Sequence, residues 1–177
     1  INRVSLDTGE LIDRFTPPIL CKPEGACGLA YTGRSLFMSD STDPERVIYE
    51  LSQVDGTIWN SFPSPSQQVD GLAYADGTLY ALDFAGDRIF ALDPLDGTVR
   101  ATLEPGVDIV GGMAAGDGVL YASRIRPAAI FSVDAESGEV LDEWASPVFL
   151  PTGLSAVEDR LYVGDFTDGR VAVLDRN

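Results

Sequence analysis

Aspartates and arginines at recurring places, together with one pair of cysteines, are the side chains in this sequence most suited to chemistry. Asp40, Asp83 and Asp165 stand 43 and 82 residues apart, and the place between the last two is taken by Arg124, followed by Arg126. Three carboxylates converging on one rim would suit Ca²⁺, which favours oxygen ligands. Arg124 would then face them as a counter-charge or an anion clamp. The plainer alternative is that each aspartate accepts backbone N–H bonds in the turn that follows it. A second layer, Cys27, Asp70, Gly111 and Thr152, directly precedes four recurring glycines, and Asp70 is its one ionisable carboxyl. The sequence has no histidine, which removes the commonest metal ligand and the commonest general base at neutral pH. A His-dependent triad or zinc site is excluded for this chain acting alone.

Cys21 and Cys27 fall in an insertion. Nine residues separate Phe62 from Gly71, whereas thirteen separate Phe15 from Gly28. A disulfide closing this loop would imply an oxidising compartment. Two reduced thiols are the alternative, and two sulfurs without histidine fall short of tetrahedral zinc ligation. Gly111, Gly112 and Gly116 lack the Lys and Ser/Thr of a phosphate loop.

These residues are positioned by a repeat. Gly28-Leu29-Ala30-Tyr31 returns as Gly71-Leu72-Ala73-Tyr74, Gly112-Met113-Ala114-Ala115 and Gly153-Leu154-Ser155-Ala156, at steps of 43, 41 and 41 residues. Within each unit, short alternating runs are separated by turns such as Asp76-Gly77 and Asp96-Gly97. A period of this length built from four short strands predicts an all-β propeller of four-stranded antiparallel blades, with about four blades present. The units run over 28–70, 71–111, 112–152 and 153–177, with 1–27 adding terminal strands to a single domain of 1–177. Phe37, Tyr80, Tyr121 and Tyr162 recur in the second strand, and Phe62, Leu103 and Trp144 end the fourth. Strict periodicity assigns them to packing between blades. Seventeen strands are predicted where four closed blades need sixteen. Either Leu11–Phe15 completes the last blade beside Val171–Asp175, or the chain is an arc of a larger ring with further blades outside it.

The balance of 28 acidic to 12 basic residues, net −16, repels phosphate backbones and anionic lipid surfaces. Nucleic acid is therefore a poor partner. No apolar run approaches the roughly 20 residues of a membrane helix, so membrane insertion by a helix is not expected.

The pattern Gly-Leu-Ala-Tyr, turn, Leu-Tyr-x-x-Asp, x-Arg-Ile-x-x-Leu-Asp over residues 28–175 resembles the repeats of YVTN-type and NHL-type propellers. It is also similar to the five-bladed glutamine-cyclotransferase-like group. That resemblance implies the propeller fold and brings in a cyclotransferase activity as one expectation. The Phe-Thr-Gln-Gly-Leu opening of those enzymes is replaced here by Ala26-Cys27-Gly28-Leu29 and Val69-Asp70-Gly71-Leu72. The leading expectation is a non-catalytic extracellular or periplasmic module without a cofactor. It would bind a partner protein or a small ligand on one disc face through Asp40, Asp70, Asp83, Arg124, Arg126 and Asp165. The alternatives are a hydrolase or glutaminyl-cyclotransferase-like enzyme using channel carboxylates, with or without calcium, and a structural repeat segment of a larger surface protein.

Overall fold

A computed structural model describes residues 1–17, 27–40 and 46–176, and its regular elements are all β-strands. Alternation with a period of two is what makes them strands, because each blade must bury both faces against neighbouring blades. β1 (Asn2–Val4) and β2 (Leu11–Arg14) form a two-stranded ribbon. The first full blade consists of β3 (Leu29–Tyr31), β4 (Ser35–Ser39), β5 (Val47–Ser52) and β6 (Ile58–Pro63). The second comprises β7 (Val69–Ala75), β8 (Thr78–Asp83), β9 (Arg88–Leu92) and β10 (Val99–Leu103). The third contains β11 (Met113–Gly116), β12 (Val119–Arg124), β13 (Ala129–Asp134) and β14 (Val140–Ala145). The last blade has three described strands, β15 (Pro151–Val157), β16 (Arg160–Asp165) and β17 (Val171–Asp175). All neighbours within a blade are antiparallel. The molecule is a β-propeller of four blades. β1 ends at Val4 because the Ser5 carbonyl already accepts the turn-closing N–H of Gly9 at 2.9 Å.

The core lies between blades. Leu72, Leu79, Phe90 and Leu92 of the second blade pack against Ala30, Phe37, Ile48 and Phe62 of the first. The alternate set on the same strands, Ala73, Tyr80, Leu82, Ile89 and Ala91, packs against Met113, Leu120, Ala122 and Phe131 of the third. Tyr121, Ile130 and Trp144 then meet Leu161 and Val163 of the last blade. The periodic aromatics are thus inter-blade packing, with Phe37, Tyr80 and Tyr121 buried. Tyr162, in the last blade, is only half-buried.

Two further kinds of contact join neighbouring blades. The apolar residue ending one fourth strand lies on the outer-turn glycine of the following blade, as Phe62 does on Gly97 and Leu103 on Gly138. Phe15 lies on Gly56 in the same manner, so the β1–β2 ribbon holds the outer two-strand place of a blade preceding β3. Nearer the axis, Ser39 Oγ accepts the Gly28 N–H at 2.8 Å and donates to the Val69 carbonyl of the next blade at 2.9 Å. Ser123 Oγ does the same with the Gly112 N–H at 3.0 Å and the Pro151 carbonyl at 2.7 Å.

By their places in the repeat, β1 and β17 are both third strands and share the same partner, a fourth strand of the type of β2. In this structure β2 pairs with β1, and β17 pairs with β16 alone among the described strands.

The outer-turn contact separates two glycines of similar backbone conformation. Gly77 has φ +75° and open space where a Cβ would stand, whereas a Cβ on Gly97, also φ +75°, would lie 2.3 Å from the Phe62 ring. Gly77→Ala is expected to cost about 1–2 kcal/mol from backbone strain alone. Gly97→Ala adds overpacking and is expected to cost about 3 kcal/mol or more in urea unfolding. Equal losses would contradict this packing.

Candidate functional site

The first strands β3, β7, β11 and β15 converge on the axis, and the repeated glycine in each sets how closely they pass. A Cβ on Gly28 would stand 2.6 Å from the Leu72 backbone nitrogen, and one on Gly112 would stand 2.6 Å from that of Leu154. At Gly71 the nearest atom is the Met113 Cβ at 3.1 Å, and at Gly153 nothing lies within 4 Å. The series of close approaches stops at the last blade. An open cavity of about 440 Å³ occupies the space there, with Leu29, Tyr31 and Leu36 on one wall and Tyr162 and Val171 on the other.

Three of the four residues preceding the glycines line this cavity: Cys27, Asp70 and Thr152. Strand register puts them at the same end of the disc as the second-strand termini, because Val69 pairs with Asp83 and Pro151 with Asp165. The two layers expected to matter therefore share one face. They are nonetheless used differently.

The second-strand aspartates serve their own turns. Asp83 is buried, accepts the Ser66 hydroxyl at 2.9 Å and the Ala85 N–H at 3.3 Å, and forms an ion pair with Arg88 at 2.8 Å. Asp165 is also buried and accepts the Phe149 N–H at 3.0 Å, the Thr167 N–H at 2.8 Å and the Thr167 hydroxyl. The Thr167 hydroxyl and backbone bonds hold the Asp165 carboxyl below its ordinary range. Asp40 is buried near the exposed Arg46 and Ser64 in a small crevice of its own. Arg124 lies over the Phe131 ring, 4.9 Å from its centroid, donates to the Pro127 carbonyl at 3.1 Å, and pairs with Glu143 at 2.5 Å. Arg126 is exposed beside Pro127. None of Asp40, Asp83, Arg124, Arg126 or Asp165 lines the axial cavity. Among the described residues, no group of three or more acidic or cysteine side chains is placed to hold a metal ion. The Cys21–Cys27 pairing involves Cys21, which lies outside the described residues.

Asp70 differs from the other aspartates. It is half-buried, and its Oδ1 is shielded from solvent without any hydrogen-bond partner in the structure. Desolvation pushes its carboxyl above the ordinary value of 3.8, the charge of Asp83 adds to that, and a side-chain bond from Gln68 offsets part of it. A buried acceptor without a donor is costly, and the residue that carries it lines the cavity.

Sequence reasoning missed several of these features. Arg176 links the last two blades through Tyr121 Oη, Asp117 and the carbonyls of Gly116 and Glu158. Its position just after a strand gave no signal of four simultaneous partners. The inter-blade hydroxyls were equally silent, because Leu82 and Gly164 occupy the corresponding places in the other two blades.

No protein-family profile matches the chain, and no curated protein sequence matches it. Solved structures do. The glutaminyl cyclase of Myxococcus xanthus is similar at 17% identity over 98% of this chain and 82% of that chain, with a TM-score of 0.70. The computationally designed Ika4 protein is similar at 14% identity over 92% of this chain and 97% of that one, with a TM-score of 0.60. BamB from Moraxella catarrhalis is similar at 16% identity over 84% of this chain and 44% of that one, with a TM-score of 0.54. At these identities the likeness establishes the propeller fold.

Because folding raises the Asp70 pKa, the folded state holds that proton more tightly than the unfolded state. Its contribution to stability is greatest below the unfolded value and is lost as pH rises through the folded one. Asp70→Asn is therefore expected to raise the Tm at pH 7, with the gain shrinking to nothing below about pH 3.8. A lower Tm at pH 7, measured by calorimetry, would show that the carboxylate is instead a stabilising partner.

Proposed function

We propose that this chain is a ligand-binding propeller module acting outside the cytoplasm, and that it takes a small molecule at the disc face where the axial cavity opens. The observation that carries this reading is the cavity itself. Pockets of a few hundred Å³ with apolar walls and a few inward polar groups are the usual form of small-molecule sites, and this one is about 440 Å³ with Asp70 and Thr152 in its lining. The face around it carries the strand-end loops, which vary between repeats while the strands do not. An extracellular or periplasmic location accords with an expected Cys21–Cys27 bridge.

A second reading, an enzyme of the cyclotransferase type, is favoured by one observation. A carboxyl raised by burial in a cavity is suited to work as a general base, and Asp70 is such a group. The structural likeness to a glutaminyl cyclase gives this reading its substrate to try, an N-terminal glutaminyl peptide. Loss of Asp70 would then abolish turnover while leaving the fold intact.

Thr152 is exposed on the cavity lining, so a larger side chain there fills the cavity without entering the core. In a ligand-observed NMR screen of small fragments, the native chain is expected to give hits that Thr152→Trp loses, with unchanged circular dichroism. Hits that survive the substitution would place binding elsewhere on the disc. Turnover of the glutaminyl peptide by the native chain would select the enzyme reading.

A further inference from the structure

We infer that the ligand of the axial cavity is a small organic cation, an ammonium group carried on a flat apolar body, with Asp70 as its counter-ion. This inference rests on the cavity being the binding site and adds the charge and shape of what enters it.

The charge follows from what surrounds Asp70. Its Oδ1 is buried and unpartnered, and the side-chain bond that its carboxyl does receive comes from Gln68, which is neutral. Arg88, on the same blade, is already engaged with Asp83 at 2.8 Å. Among the described residues, no lysine or arginine lines the cavity, and Asp70 is the one acidic side chain in its lining. An anionic ligand would meet an unscreened carboxylate there. A neutral ligand could satisfy one hydrogen bond but would leave the negative charge uncompensated in a partly desolvated site. A divalent metal ion would demand several oxygen ligands, and one carboxylate does not provide them. A monovalent ammonium satisfies the bond and the charge together.

The shape follows from the walls. Leu29 and Leu36 stand with Tyr31 on one side, and Val171 with Tyr162 on the other. Tyrosine rings attract a cation to their faces and pack against planar apolar groups, so the same two side chains suit both parts of such a ligand. Thr152 and Ser155, also in the lining, offer hydroxyls for a second N–H or O–H. The net charge of −16 favours the approach of cations at low ionic strength.

The test uses two probes of nearly equal size, 2-phenylethylammonium and the neutral 2-phenylethanol, titrated into the intact chain by NMR. A charge-assisted hydrogen bond is worth enough that the ammonium is expected to bind at least about tenfold more tightly than the alcohol. Asp70→Asn is expected to remove that preference while leaving the weak binding of the alcohol in place. If both probes bind the native chain equally, the cation inference fails while the cavity stands as a site. If the ammonium preference persists in Asp70→Asn, the counter-ion lies elsewhere and the assignment is overturned. If neither probe binds, yet fragments of other chemistry bind and are lost in Thr152→Trp, the inference fails and the small-molecule reading survives. Failure of every fragment would remove both.

Discussion

The close passage of backbone against backbone around the axis is the constraint on which the rest of the structure depends. Gly28 and Gly112 have no room for a Cβ, because the first strand of the next blade begins 2.6 Å from where it would stand. Only glycine permits this approach at Gly28 and Gly112. Ser39 and Ser123 fasten the same crossing by joining one blade's glycine N–H to the next blade's carbonyl. At Gly153 no described atom lies within 4 Å of where a Cβ would stand, and that glycine lines the axial cavity. Fold and site therefore have one origin.

The fold was largely legible in the sequence, because propeller packing repeats and repetition is visible in a single chain. Alternation identified both faces of β9, where Phe90 and Leu92 face one neighbour and Ile89 and Ala91 the other. The surplus strand was also legible, since the third-strand pattern occurs near both ends. The register between blades was not. The Phe62–Gly97 and Leu103–Gly138 contacts join residues far apart in sequence, and no local pattern names a partner across a blade boundary.

The site was legible only in part. Strand-end aspartates drew attention as a convergent rim, yet a short acidic side chain at the end of a strand also suits the next turn's N–H groups. In Asp83 and Asp165 that local use holds the carboxylate, and Arg124 turns to Glu143 and Phe131 of its own blade. Asp70 stood out for a different reason, as the one carboxyl in a layer otherwise made of Cys, Gly and Thr. What the sequence could not reveal was that its neighbours would leave an oxygen buried without a donor. Such a cost to stability is common where a protein keeps a group ready for a ligand.

The central claim is that Asp70 is held in the cavity partly desolvated and without a cation of its own. A ¹³C NMR titration of the aspartate carboxyls, with Asp70 assigned by substitution, measures this directly. The account requires the Asp70 midpoint to lie above 3.8 and above those of Asp93, Asp134 and Asp165, which turn hydrogen bonds hold down. A midpoint at or below 3.8 would mean that a donor or cation already satisfies Asp70, and the cavity would lose the feature that makes it a site.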